Sequence, residues 1–133
     1  IEINPRYDKA YNNLGILHYL KGKYKEALES FQKSLEINSN SIECFINLGV
    51  VFKKQGQMDK AIEFYQKALD INSNHKETHY NIALLYEQLG KSELAIRHYQ
   101  QFIKLSPKSH SHLVSKVQRH LDYLLEVKGS PSK

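Results

Sequence analysis

Apolar side chains recur three and four residues apart from Ile42 to Phe52, stop before Gly56, and resume from Met58 to Ile71. That is the 3.6-residue period of two amphipathic helices joined by a tight turn. The spacing predicts a first helix over roughly 42–55 and a second over roughly 58–71. Gly56 then stops the first helix in the left-handed conformation that glycine adopts most cheaply. The pattern recurs on both sides. Displaced by 34 residues, Gly22, Gly56 and Gly90 coincide, as do Ala27, Ala61 and Ala95. So do Asn13, Asn47 and Asn81, and the aromatic residues Phe31, Tyr65 and Tyr99. A fixed period of this length marks stacked supersecondary units, each too small to bury its own apolar face. The predicted class is all-α: a solenoid of three helical hairpins with no strand.

The units run 8–41, 42–75 and 76–109. Beyond Pro107 the glycine and alanine signature is lost, while Leu113, Val117, Leu121 and Leu124 keep a helical spacing. An array needs a last helix that is apolar on one side only, so 110–128 is read as a capping helix and 129–133 as a flexible tail. Residues 1–7 match the end of a unit. Ile1-Glu2-Ile3-Asn4-Pro5 falls on Leu35-Glu36-Ile37-Asn38-Ser39, so this stretch is read as the last turn of a preceding repeat in a longer array.

Local signals support the same boundaries. Asn40-x-x-Glu43 and Asn74-x-x-Glu77 stand at two helix starts, a capping side chain with an acid three residues on. Pro107 ends the third unit by removing a backbone donor. Gly15, Gly49 and Ala83 on first helices and Ala27, Ala61 and Ala95 on second helices are read as points of close helix approach. His18 and His79 occupy positions that are aromatic elsewhere in the register and are read as core or half-buried imidazoles.

The motif in each unit is explicit. The first reads Tyr11-x2-Leu14-Gly15-x2-His18, Ala27-x3-Phe31, Ser39. The second reads Phe45-x2-Leu48-Gly49-x2-Phe52, Ala61-x3-Tyr65, Ser73. The third reads His79-x2-Ile82-Ala83-x2-Tyr86, Ala95-x3-Tyr99, Pro107. Over 8–109 this strongly resembles the tetratricopeptide repeat family, with Ser39 and Ser73 standing where the family usually has proline. The resemblance implies first helices lining a concave surface that holds extended peptides. It also implies a role for Asn13, Asn47 and Asn81, which match an asparagine ladder whose amides pair with a peptide backbone. Chaperone-tail members clamp an acidic C-terminus with lysine, asparagine and arginine. The matching positions here are Asn12, Ile16, Asn47, Glu77 and Asn81; only Asn47 fits, and Glu77 would repel a carboxylate, so that clamp is rejected.

A helical wheel gives the residues' own testimony. Tyr11, Leu14, Gly15 and His18 face the hairpin partner. Opposite them lie Lys9, Asn13, Ile16 and Leu20, then Glu43, Asn47, Val50 and Lys54, then Glu77, Asn81, Leu84 and Gln88. Asn12, Ile46 and Tyr80 form a shoulder. An apolar seam beside an asparagine column, recurring once per repeat, reads as a groove lining rather than a solvated face. One amide offers both a donor and an acceptor, which suits a peptide unit. Asn47 is the central rung, so Asn47→Ala is expected to cost the most affinity and to leave melting almost unchanged.

Charge changes this picture little. Of the net +5, residues 1–103 carry almost none (13 Lys and Arg against 12 Asp and Glu); the excess lies in residues 104–133. That basic end reads as a solubilising cap that adds only salt-sensitive steering. The single cysteine, Cys44, excludes an intramolecular disulfide, and with no Asn-x-Ser/Thr sequon it fits a reducing, cytoplasmic setting. No apolar run approaches the roughly 20 residues of a membrane span.

Chemistry for catalysis is missing from the pattern. His75 and His79, and His110 and His112, lack a cysteine or acid at ligand spacing, so no metal is expected. No phosphate loop, nucleophile elbow or cofactor motif occurs, and neither an enzyme nor a small-molecule substrate is read from this segment. The function expected is a protein–protein interaction scaffold for an extended peptide. The alternatives are end-to-end stacking of copies into a homo-oligomer and the targeting array of a larger enzyme. Nucleic acid is disfavoured by near-neutral units and the strict 34-residue period, since RNA-reading pentatricopeptide repeats typically have 35.

Overall fold

Helices form where the 3.6-residue period places them. They are α1 (Pro5–Leu20), α2 (Tyr24–Ile37), α3 (Ile42–Lys54), α4 (Met58–Ile71), α5 (Lys76–Gln88), α6 (Ser92–Lys104) and α7 (His112–Gly129). The computed structural model describes residues 5–106 and 111–129, with side chains from Tyr7 onward, and no strand occurs among them. Ile1–Asn4, Pro107 and the tail beyond Gly129 lie outside the described residues. Pro5–Tyr7 form the first turn of α1. Proline is at home there because its missing N–H has no helical acceptor in any case.

The turn inside each hairpin is a glycine turn. Gly22, Gly56 and Gly90 have φ of 77°, 79° and 74°. At the second, Gln57 N–H donates to the Phe52 carbonyl at 2.9 Å and Gly56 N–H to Lys53 at 3.0 Å, closing the end of α3. The entry to α3 differs from the expected capping box. Its N-cap is Ser41, whose hydroxyl accepts from Cys44 N–H at 3.2 Å. Asn40 is drawn out of that position because its own N–H donates to the Asn38 side chain at 3.2 Å. Likewise α5 is entered through His75 rather than Asn74, with His75 Nδ1 2.8 Å from the Thr78 hydroxyl.

The helices group into two units, residues 1–73 and 74–133. In the first, α1 packs on α2, α2 on α3 and α3 on α4. Its core joins Ala27, Phe31, Cys44, Leu48 and Val51, with Ile16, Phe45, Phe52 and Phe64 against it. The glycines on first helices meet aromatic rings: a Cβ on Gly15 would come within 2.5 Å of Phe31, and one on Gly49 within 2.6 Å of Tyr65. The residue is small because the ring of the partner helix lies directly on the backbone.

The second unit packs α5 on α6 and α6 on α7 around Ala83, Ala95, Ile96, Tyr99, Phe102, Val117 and Leu121. His79 is buried and His18 half-buried, as their aromatic register implies. Helix α7 buries Val117 and Leu121, sets Val114 and Leu124 half-buried against the same core, and exposes most of its remaining side chains.

Candidate functional site

The asparagine column lies on accessible backbone positions of α1, α3 and α5. Asn13 is exposed, and Asn47 and Asn81 are half-buried. Beside them Ile16, Val50 and Leu84 are all half-buried, as are Ile46 and Tyr80, while Lys54 is exposed at the end of α3. The first unit thus carries Asn13, Ile16, Ile46, Asn47, Val50 and Lys54; the second carries Tyr80, Asn81 and Leu84. Half-burial has a definite cause. Ile16 rests against the core of the first unit, and Tyr80 and Leu84 against that of the second, so each keeps only one side in water.

Asn12 departs from the expected shoulder. It is buried, and its Oδ1 accepts a hydrogen bond from Asn47 Nδ2 at 3.0 Å. This amide pair bridges α1 and α3 between neighbouring hairpins. Asn12 is therefore a structural residue, and Asn47 has one N–H already committed. Its carbonyl and second N–H remain for another partner. Asn13 and Asn81 form no side-chain hydrogen bond to any described residue.

Nearby on the first unit, Asp8, Asn12, Ser34, Asn38 and Ser41 line a polar cleft of about 250 Å³. Ser34 closes its floor by donating to the Asp8 carbonyl at 2.7 Å. Cys44 Sγ donates to the Phe31 carbonyl at 3.1 Å, and burial raises its pKa to about 11. It is a core thiol with no nucleophilic character at neutral pH.

Two constellations in the second unit were not visible in the sequence. Nδ1 of His79 and Nδ1 of His98 lie 2.9 Å apart, with the Tyr86 ring against His98. Burial, reinforced by His79, lowers the pKa of His98 to about 4. The second is a hub on Glu87. Its Oε1 accepts from the Tyr99 hydroxyl and stands against His120 Nε2, both at 2.6 Å. Burial and the Glu87 contact hold the Tyr99 phenol far above its usual range, so it stays a donor. Tyr80, Leu84, Glu87, Tyr99, Lys116, Val117 and His120 together line a cleft of about 290 Å³. The period could assign Tyr99 to the core, but α7 lies outside the repeats, so no register pointed to His120 or Lys116. No group of three or more metal-ligating side chains occurs among the described residues.

A tetratricopeptide repeat model matches residues 39–108 and a second matches residues 8–41. The chain belongs to the tetratricopeptide repeat family. No curated protein matches it in sequence. Among solved structures it is similar to MamA, with 25% identity and a TM-score of 0.74 over 79% of this chain and 61% of that one. The chain thus spans less than two thirds of that MamA chain. It shares its fold with SycD, the type III secretion translocator chaperone of Yersinia enterocolitica. That match has a TM-score of 0.85 and 21% identity, covering 97% of this chain and 90% of that one. The first tetratricopeptide domain of Spaghetti (RPAP3), solved with the HSP90 peptide SRMEEVD, gives a TM-score of 0.80 and 16% identity, covering 98% of this chain and 99% of that one. No helix among the described residues is long and apolar enough to cross a membrane.

Proposed function

We propose that this chain is a non-catalytic interaction module that binds an extended peptide segment of another protein along its first helices. The observation that carries the reading is the pairing, once per hairpin, of an accessible asparagine with a half-buried aliphatic residue: Asn13 with Ile16, Asn47 with Val50, Asn81 with Leu84. A purely hydrated face has no reason to keep that apolar column, and a purely structural one would engage all three amides. Lys54, Ile46 and Tyr80 flank the column. Fold relatives named as a peptide complex and as a chaperone support a binding role of this general kind. The exposed Glu77 disfavours an acidic C-terminus near the start of α5.

Magnitudes limit what the amides do. Two hydrogen bonds per asparagine at about 1 kcal/mol each give roughly 6 kcal/mol for three rungs. Association costs about 4–15 kcal/mol, so the apolar column has to contribute to any useful affinity. The test uses linear peptides selected on the full chain from a random display library. Their affinity for an Asn13→Ala/Asn81→Ala variant should fall at least about tenfold with no change in melting. Unchanged affinity contradicts the reading.

Association of copies is a second reading with one observation in its favour. Leu14 and Leu17 of α1 are exposed, whereas Leu48 and Val51, and Ile82 and Leu85, at the same register are buried. A second copy covering that face would give a sedimentation mass that rises with concentration.

A further inference from the structure

We propose that the cleft between α5 and α7 is an anchor pocket for one large apolar side chain of a bound peptide, with an acidic residue next to it in the ligand. The inference takes from the peptide-binding reading only that the ligand is a peptide. It adds the ligand's side-chain chemistry and gives α7 a binding role beyond that of a cap.

The cleft, about 290 Å³, falls just below the range of pockets for drug-sized molecules and has ample room for one large apolar side chain such as phenylalanine or leucine. Tyr80, Leu84 and Val117 give it apolar walls. Tyr80 and Leu84 are half-buried members of the first-helix surface, so the cleft opens from the same side of α5 that bears Asn81.

The polar groups are unequal. Glu87 is half-buried, and its Oε1 is committed to the Tyr99 hydroxyl and His120 Nε2, both at 2.6 Å. His120 is likewise engaged, by Glu87 and by an edge-on ring contact with Tyr99 at 5.5 Å. Lys116 is exposed and has no acidic partner among the described residues. The one exposed charged side chain of the lining is therefore a cation, Lys116, beside an apolar recess. An apolar side chain followed by a carboxylate satisfies both, whereas a ligand cation is repelled by Lys116 at the exposed rim.

The probes are acetylated, amidated tetrapeptides added to the full chain, read on the methyl resonances of Leu84 and Val117. Gly-Phe-Asp-Gly should shift both methyls and Gly-Ser-Asp-Gly neither. Gly-Phe-Lys-Gly should bind about fivefold more weakly than the Phe-Asp probe, as suits one exposed charge. Lys116→Glu, at an exposed site that leaves folding intact, should invert the order of the Asp and Lys probes. Equal responses to the Phe and Ser probes, silent methyls, or an order unchanged by Lys116→Glu each overturn the proposal. A tetrapeptide reaches at most about 14 Å and reports on the pocket alone. The asparagine column is tested separately with long peptides on the Asn13→Ala/Asn81→Ala variant, so either reading can fail without the other.

Discussion

Asn47 already holds a partner within the fold, Asn12, and this separates it from Asn13 and Asn81. Removing its amide leaves the buried Asn12 carbonyl without a donor, a loss of about 1–3 kcal/mol. Asn47→Ala should therefore lower the midpoint of chemical denaturation while Asn13→Ala leaves it in place, which corrects the expectation of unchanged melting. The sequence aligned Asn13, Asn47 and Asn81 through the period. It gave no sign of the Asn12–Asn47 bond, because that pair is 35 residues apart and off the register. The His79–His98 contact was hidden for the same reason, and it has a pH consequence. His98 has its pKa lowered from 6.5 to about 4 by burial and by His79. Between those values the unfolded chain binds a proton that the folded chain refuses, so stability falls as pH drops from about 6.5 to about 4. Replacing His98 by phenylalanine, which keeps the ring against Tyr86, should flatten the fall in denaturation midpoint across that window. An equally steep fall in the variant would place the titration elsewhere.

Each hairpin is defined by what its first helix can afford to expose. Leu17 and Leu85 share one register position on α1 and α5, yet Leu17 is 54% exposed and Leu85 is 0% exposed. The same Leu→Ala change should cost about 2–5 kcal/mol at Leu85. At Leu17 it should cost under about 0.5 kcal/mol. Urea denaturation of the two variants checks the contrast, and equal costs would mean that α1 is covered in solution. Helix spans were legible because a strong 3.6-residue period and glycine turns agree with each other. The starting position of α3 was legible too, but the capping residues fall one position after Asn40 and Asn74. Before α3, Asn38 holds the Asn40 N–H and Ser41 becomes the cap; before α5 the cap is His75. The close contact of Gly15 and Gly49 with Phe31 and Tyr65 was legible as smallness, though not as ring-on-backbone packing.

For the chain as a whole, repetition made the fold readable and the site only partly so. Three copies at one spacing determine helices, turns and the face on which Asn13, Asn47 and Asn81 fall. Features that break the repeat, the Glu87–Tyr99–His120 hub and the cleft beside Lys116, depend on α7, which has no counterpart in the period. The central claim is that the amides of the first helices grip a peptide backbone. A direct measurement follows the side-chain NH₂ resonances of the full chain as a library-selected peptide is added. Gln32, Gln66 and Gln100 form an internal control, since they recur at the same period on the second helices and are exposed. The account predicts that the Asn13 and Asn81 amides move downfield and exchange more slowly with water, that Asn47 follows in part, and that the three glutamines stay still. Asparagine amides that do not move while the glutamines do would contradict it.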